Sequence, residues 1–149
     1  MSTLHDEAVG VSAADLELVR AAYDAFTRHD FPAVLAAMHP AIELVEPGLT
    51  RHSGRPWGTT FHGPDEVLEG VFHQLPHIWS EFAVVPDEFL AADNRVIVLG
   101  RYHGRGRITG KSFNVPFVHV ISLSAGRIRR IQVNVDTAVL LDAAGDLPT

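Results

Sequence analysis

Apolar residues recur at helical spacing in the first half of the chain and alternate with polar residues in the second half. Four of them follow one another at steps of three or four residues: Leu16, Val19, Tyr23 and Phe26. This spacing predicts a first helix that ends near His29, with Ser12 as its N-cap and Asp15 in its first turn.

Two further helices carry their own start signals. Asp30 can cap a short helix that stops near Pro40 and buries Phe31, Val34, Leu35 and Met38. Pro64 opens a third helix with Asp65 and Glu66 in its first turn, and Pro76 ends it. Between these helices, the segment from Gly48 to Gly63 has no periodicity, which predicts a long loop able to act as a lid.

Alternating segments predict strands at Ile42–Glu46, Trp79–Glu88, Arg95–Gly106, Phe113–Ser124 and Arg127–Val135, followed by a short helix over Ala138–Ala144. Helices first and a meander of strands afterwards predict an α+β fold, a curved antiparallel sheet with three N-terminal helices on its concave face.

Ala125-Gly126 predicts a two-residue turn between the last two strands. Regular pairing from that turn places Val118 opposite Val133 and Val120 opposite Ile131 on one face, and it places His119 and Phe117 on the other. Because both faces carry apolar side chains, both must be covered, one by the helices and the other by a second subunit.

The 149 residues predict one domain over 1–149, with residues 1–11 as a loose N-terminal extension. The chain has no cysteine and starts with neither a signal peptide nor a membrane span, so we expect a soluble cytoplasmic protein. A net charge of -6 argues against nucleic acid. The stretch 94–135 nevertheless holds eight cations and no acid, either as a solvated surface that faces acids on the helices or as an attractor for an anionic substrate.

Several motifs resemble the nuclear transport factor 2-like superfamily, and within it the ketosteroid-isomerase-related and SnoaL-like branch. They are Tyr23-Asp24-Ala25-Phe26 with Asp30, Ile42 to Gly48, Gly63 to Val67, Val115 to Val120, Ala125 to Ile128 and Val135-Asp136-Thr137. The resemblance spans nearly the whole chain and implies a cone-shaped pocket between sheet and helices, usually in a homodimer.

Two carboxylates are candidates for acid-base chemistry. Glu46 precedes Pro47, where the resemblance to ketosteroid isomerases places the general base, and an apolar pocket would raise its pKa. Asp136 lies ten residues after Gly126, where SnoaL-like cyclases place an acid/base aspartate. Asp136 is equally suited to cap the last helix, and the two roles are compatible.

The oxyanion donors of those isomerases are not matched. Val118 precedes His119, where the resemblance requires a protonated aspartate, and Tyr23 is one position out of register with the family's tyrosine. Steroid isomerisation is therefore not expected. His119 itself is predicted to face a partner rather than the pocket. No histidine spacing supports a metal site, and no cofactor is expected.

Two hypotheses follow. The first is a cofactor-independent enzyme, of isomerase, cyclase or dehydratase type, that moves a proton on a small hydrophobic carbonyl compound through Glu46 or Asp136. The residues predicted to line its pocket are Tyr23, Phe26, Trp57, Phe72, Trp79, Val118, Val120, Ile131, Val133 and Val135. The second is a non-catalytic ligand-binding or scaffolding dimer.

The opposite sheet face is predicted to form a homodimer interface, because its mixture of apolar and polar side chains suits a subunit contact. Its predicted members are Phe117, His119, Ile121, Arg130, Gln132 and Asn134.

Overall fold

The computed structural model describes residues 10–47 and 59–145. Of the N-terminal extension predicted over residues 1–11, residues 1–9 lie outside this range. Trp57 and most of the predicted Gly48–Gly63 loop also lie outside it. Val11 is tied to the domain, because its backbone N–H donates to the Asp93 carbonyl over 3.1 Å.

The helices begin where their caps predict. Helix α1 spans Ala13–Thr27 and α2 spans Phe31–Ala36, and the side chains of Ser12 and Asp30 accept from Asp15 N and Ala33 N. Helix α3 spans Gly63–Gly70, a 3-10 turn covers Phe72–Gln74 and α4 covers Leu75–Ile78. Pro76 therefore lies in the first turn of α4 and does not end α3. Helix α5 spans Thr137–Ala144.

Six strands form one sheet in the order β2-β1-β6-β5-β4-β3. Their bounds are β1 Met38–Glu46, β2 Thr59–His62, β3 Trp79–Ala92, β4 Arg95–Gly106, β5 Ser112–Ser124 and β6 Arg127–Val135. The α+β class with a curved sheet is confirmed, although β1 and β6 run parallel. Met38 starts a strand rather than lying on a helix, and Thr59–His62 pairs with β1 where a loop was predicted.

The turn at Ala125-Gly126 has positive φ at both residues, 53° and 73°, as predicted for a two-residue hairpin. The register beyond it was predicted wrongly. Leu123 pairs with Ile128 but Ser122 pairs with Arg130, so Arg129 is an extra residue that forms a β-bulge. Because of the bulge, His119 pairs with Val133 and Val118 pairs with Asn134.

The bulge decides which side chains enter the core. Phe117, His119 and Ile121 lie on the inner face of the sheet, at most 6% exposed. They cannot belong to an outer interface in this fold, which corrects that prediction. Val118 and Val120 lie on the outer face with Gln132 and Asn134, and Val118 is 36% exposed.

The core lies between the inner face of the sheet and helices α1 to α3. No helix in the described ranges is both long and apolar enough to cross a membrane.

Candidate functional site

A cavity of about 130 Å³ lies between the inner face of the sheet and the helices. Apolar side chains from the helices and from four strands make most of its described wall, including Phe26, Leu44 and Val133. Four polar side chains interrupt this wall: Tyr23, Glu46, Tyr102 and His119. Such a lining, apolar with a few polar groups, is typical of small-molecule sites.

Glu46 is the last residue of β1 and follows Ile42 and Leu44 on the inner face. Its Oε2 atom is buried and has no hydrogen-bond partner among the described residues. Because burial disfavours the charged form, the pKa of the Glu46 carboxyl rises to about 7. At neutral pH this carboxyl can therefore both accept and return a proton.

Three side chains of the cavity wall form a hydrogen-bonded chain. The Tyr23 hydroxyl, on α1, lies 2.5 Å from Nδ1 of His119, and the Tyr102 hydroxyl, on β4, lies 2.6 Å from Nε2. The ring of Phe117 stacks on the imidazole with centroids 4.0 Å apart and 16° between the planes. His119 is thus held on both nitrogens and on one ring face.

Burial sets the protonation of this chain. It lowers the pKa of His119 to about 3, so the imidazole is neutral at pH 7. It raises the pKa of Tyr23 above its usual value, and it raises that of Tyr102 with further contributions from the charges of Glu46 and Tyr23. Both phenols therefore keep their protons.

The register places Glu46 and His119 in one row across the sheet. Val45 pairs with Gln132 on β6, so Glu46 lies beside Val133, and Val133 pairs with His119 on β5. With strands about 4.8 Å apart, the two backbones are separated by about 10 Å, with the Val133 side chain between them. Glu46 and His119 therefore reach the cavity from the two strands that flank β6.

The structure brings half of the twelve predicted site residues together. Glu46, Tyr23, Phe26, Phe72, Ile131 and Val133 line the cavity. Val118 and Val120 do not, because the bulge turns them to the outer face. Trp79 is buried and is not part of the described wall, but its ring stacks on that of Phe82, which lines the cavity. Val135 is half-buried beyond the described wall of the cavity, and Trp57 lies outside the described residues.

Asp136 lies at the surface as the N-cap of α5, where its side chain accepts from Ala138 N over 3.1 Å. The predicted cap is confirmed. Asp136 is not part of the described cavity wall, so its predicted acid/base role gains no support from the geometry.

Tyr102 and His119 are the functional candidates that sequence reasoning missed. Tyr102 continues the inner-face alternation of Val96 and Val98, which was available as a signal. His119 was predicted to face outward because the pairing ignored the bulge. The signal for the bulge was the change of apolar phase between Ile128 and Ile131, which both face inward although they are three residues apart.

Five of the eight cations in the 94–135 stretch have partners outside the cavity wall. Arg105 pairs with Glu81, Lys111 with Asp142 and Arg130 with Glu43, each with the charged atoms 3.2 to 3.7 Å apart. Arg107 donates to two backbone carbonyls and Arg101 to Asn114. None of the eight lines the described wall of the cavity, so an anionic substrate gains no support.

The sequence matches the family model of the SnoaL-like domain over residues 19–131. No curated protein matches the chain. Among solved structures, an NTF2-like protein of unknown function from Burkholderia pseudomallei K96243 is 33% identical, with a TM-score of 0.80 over 89% of this chain and 98% of its own.

Two other solved structures are similar over comparable lengths. An NTF2-like protein from Burkholderia thailandensis E264 is 34% identical, with a TM-score of 0.78 over 88% of this chain and 97% of its own. TerC, co-crystallized with polyporic acid, is 25% identical, with a TM-score of 0.77 over 89% of this chain and 98% of its own.

Proposed function

The chain belongs to the SnoaL-like domain family, and we propose that it is a cofactor-independent proton-transfer enzyme, of isomerase or cyclase type, acting on a small hydrophobic carbonyl compound. The observation that carries this proposal is the buried carboxyl oxygen of Glu46, which faces an apolar cavity and has no protein partner among the described residues.

The reaction begins with the ligand in the cavity and Glu46 ionised. Glu46 removes a proton from the carbon next to the carbonyl, so the C–H bond breaks, an O–H bond forms on Oε2, and the electron pair moves onto the carbonyl oxygen. The protonated Glu46 then returns the proton to another carbon of the same system, which regenerates the carboxylate. A base with a pKa near the working pH is suited to both steps.

The test uses cyclohex-3-enone, whose double bond moves into conjugation when a proton is transferred. We expect the wild type to accelerate this isomerisation and Glu46→Gln to lose the acceleration. Glu43→Gln is the matched control, since Glu43 lies on the outer face of the same strand, in an ion pair with Arg130. A wild type no faster than Glu46→Gln, or a Glu43→Gln variant equally impaired, would contradict the role of Glu46.

A non-catalytic binding role is the second candidate. It is favoured by the Tyr23–His119–Tyr102 chain, because its three groups are neutral and hydrogen-bonded to one another, and none of them has to transfer a proton. In that case a ketone would bind in the cavity without isomerisation in either the wild type or the variants.

The outer sheet face is proposed as the interface of a homodimer, with members corrected by the register. Val118 and Val120 lie there beside Ile97 and Leu99 of β4 and the polar Gln132 and Asn134 of β6. A second copy presents the same mixture, so a two-fold contact would cover both patches.

A further inference from the structure

The polar groups of the cavity all lie in one part of it. Glu46 and His119 flank Val133 in one row of the sheet, and the hydroxyls of Tyr23 and Tyr102 are hydrogen-bonded to His119. No other polar side chain lies on the described wall. The rest of this wall is therefore suited to an apolar group of the ligand.

The apolar part of the wall extends from this polar row to Met38, the first residue of β1. Met38 pairs with Ile128 on β6, and Ile128 follows the bulge partner Leu123 on β5. Leu123 lies four residues from His119 along β5, which corresponds to about 13 Å at about 3.3 Å per residue. Met38 is therefore well separated from the polar row.

The Met38 end of the cavity is closed by buried side chains. Met38 and Ile128 are each 3% exposed, and Val34 of α2 is 6% exposed. Beside the polar groups, by contrast, the wall residues Glu46 and Val84 are half-buried. A ligand that enters from this more accessible side brings its apolar group in first, and that group stops at Met38.

We propose that the cavity takes a carbonyl compound whose oxygen stays in the polar row and whose alkyl substituent points to Met38, which limits the length of that substituent. The inference rests on the proposed function in taking the cavity as the site of a carbonyl compound, and it makes Met38 a specificity-determining residue. A cavity of about 150 Å³ holds benzene, so one of about 130 Å³ holds roughly six carbon atoms.

The homologous 2-alkanones measure the length limit. We expect the wild-type affinity to rise about fourfold with each methylene up to 2-hexanone, because each buried methylene adds a similar favourable free energy, and to stop rising at longer chains. An affinity that rises steadily as far as 2-nonanone, or that does not depend on chain length, would overturn the inference. So would the absence of binding by every alkanone.

Substitution of Met38 tests which residue sets the limit. We expect Met38→Ala to move the limit to chains about three carbons longer, because the substitution leaves a cavity where the outer atoms of the methionine lay. Met38→Leu is the matched control, since it nearly conserves volume and should keep the limit at 2-hexanone. An unmoved limit in folded Met38→Ala, or the same extension in Met38→Leu, would contradict the role of Met38.

The orientation of the ligand is measured in the wild type, so this test does not depend on the stability of a variant. The chain has two methionines, Met1 and Met38, so a sample labelled with ¹³C at the methionine methyl groups gives two signals, which Met38→Leu assigns. With bound 2-hexanone, we expect a nuclear Overhauser effect between the Met38 methyl and the end of the alkyl chain. An effect only to the methyl group beside the carbonyl, or to neither end, would overturn the inference.

The isomerisation of cyclohex-3-enone is a separate readout. Alkanones that bind with the expected limit and orientation to a protein that does not isomerise cyclohex-3-enone would contradict the proposed function and leave the inference standing. A protein that isomerises cyclohex-3-enone but binds alkanones without regard to chain length would overturn the inference alone.

Discussion

Glu46 and His119 lie in one row of the sheet on either side of Val133, and burial shifts their pKa values in opposite directions, to about 7 and about 3. Both shifts favour the uncharged form, because the apolar cavity disfavours charge. Near pH 5.5, unfolding therefore moves a proton from the carboxyl to the imidazole without changing the number bound.

This relationship predicts a flat contribution to stability between the two unfolded pKa values, 4.5 for Glu46 and 6.5 for His119. In Glu46→Gln only the histidine remains, and its folded pKa is depressed. We expect this variant to gain stability as pH rises from about 3 to 6.5. Urea unfolding at several pH values measures both profiles.

The difference between wild type and Glu46→Gln isolates the carboxyl. Because the folded pKa is raised, its favourable contribution is complete below pH 4.5 and is lost as pH rises to about 7, by up to about 3 kcal/mol. Parallel profiles for the two proteins would show that Glu46 is not desolvated.

Gly100 makes room for the aromatic ring that supports His119. It pairs with Phe117, and a Cβ atom at this position would lie 2.6 Å from Cζ of that ring and 2.5 Å from the Val85 carbonyl oxygen. We expect Gly100→Ala to lower the free energy of unfolding by about 1–3 kcal/mol. The cost should be smaller in a Phe117→Leu background, and wild-type stability in urea would contradict the close packing.

Substitutions of Asp136 distinguish a helix-capping role from an acid/base role. We expect Asp136→Ala to lower the free energy of unfolding by about 1 kcal/mol, because Ala138 N loses its acceptor, and Asp136→Asn to cost less. Both variants should isomerise cyclohex-3-enone at the wild-type rate. A stable Asp136→Asn variant without activity would restore the acid/base role.

The outer sheet face predicts the oligomeric state. We expect light scattering to show a dimer at micromolar concentration and Val120→Asp to give a monomer, because a buried unpaired charge opposes association. Ile108→Asp is the control, since Ile108 is 53% exposed in the β4–β5 connection. A monomeric wild type would show that this face has no second copy on it.

Local interactions were predictable from sequence and non-local ones were not. Ser12, Asp30 and Asp136 cap their helices as expected, because a cap depends on residues two or three positions away. The bounds of β4 and β6 were also correct. The bond between Tyr23 and His119 joins residues 96 positions apart, and no local pattern indicates it.

The register of the last hairpin lies between these cases. The turn is local, but one extra residue beyond it shifts the pairing of the whole strand by one position. This shift changes which residues of β5 and β6 share a face of the sheet. Glu46 lies in the cavity wall because β1 has its own alternation, whereas the predicted positions of Val118, Val120 and His119 depended on regular pairing and were wrong.

The bulge at Arg129 also changes what a residue count means when relatives are compared. Asp136 lies ten positions after Gly126 in the sequence. One of those positions is the bulged residue, which has no pairing partner of its own on β5. In a hairpin without a bulge, the residue at the same place in space stands nine positions after the glycine. Equivalent residues in this family should therefore be matched by their partners on β5.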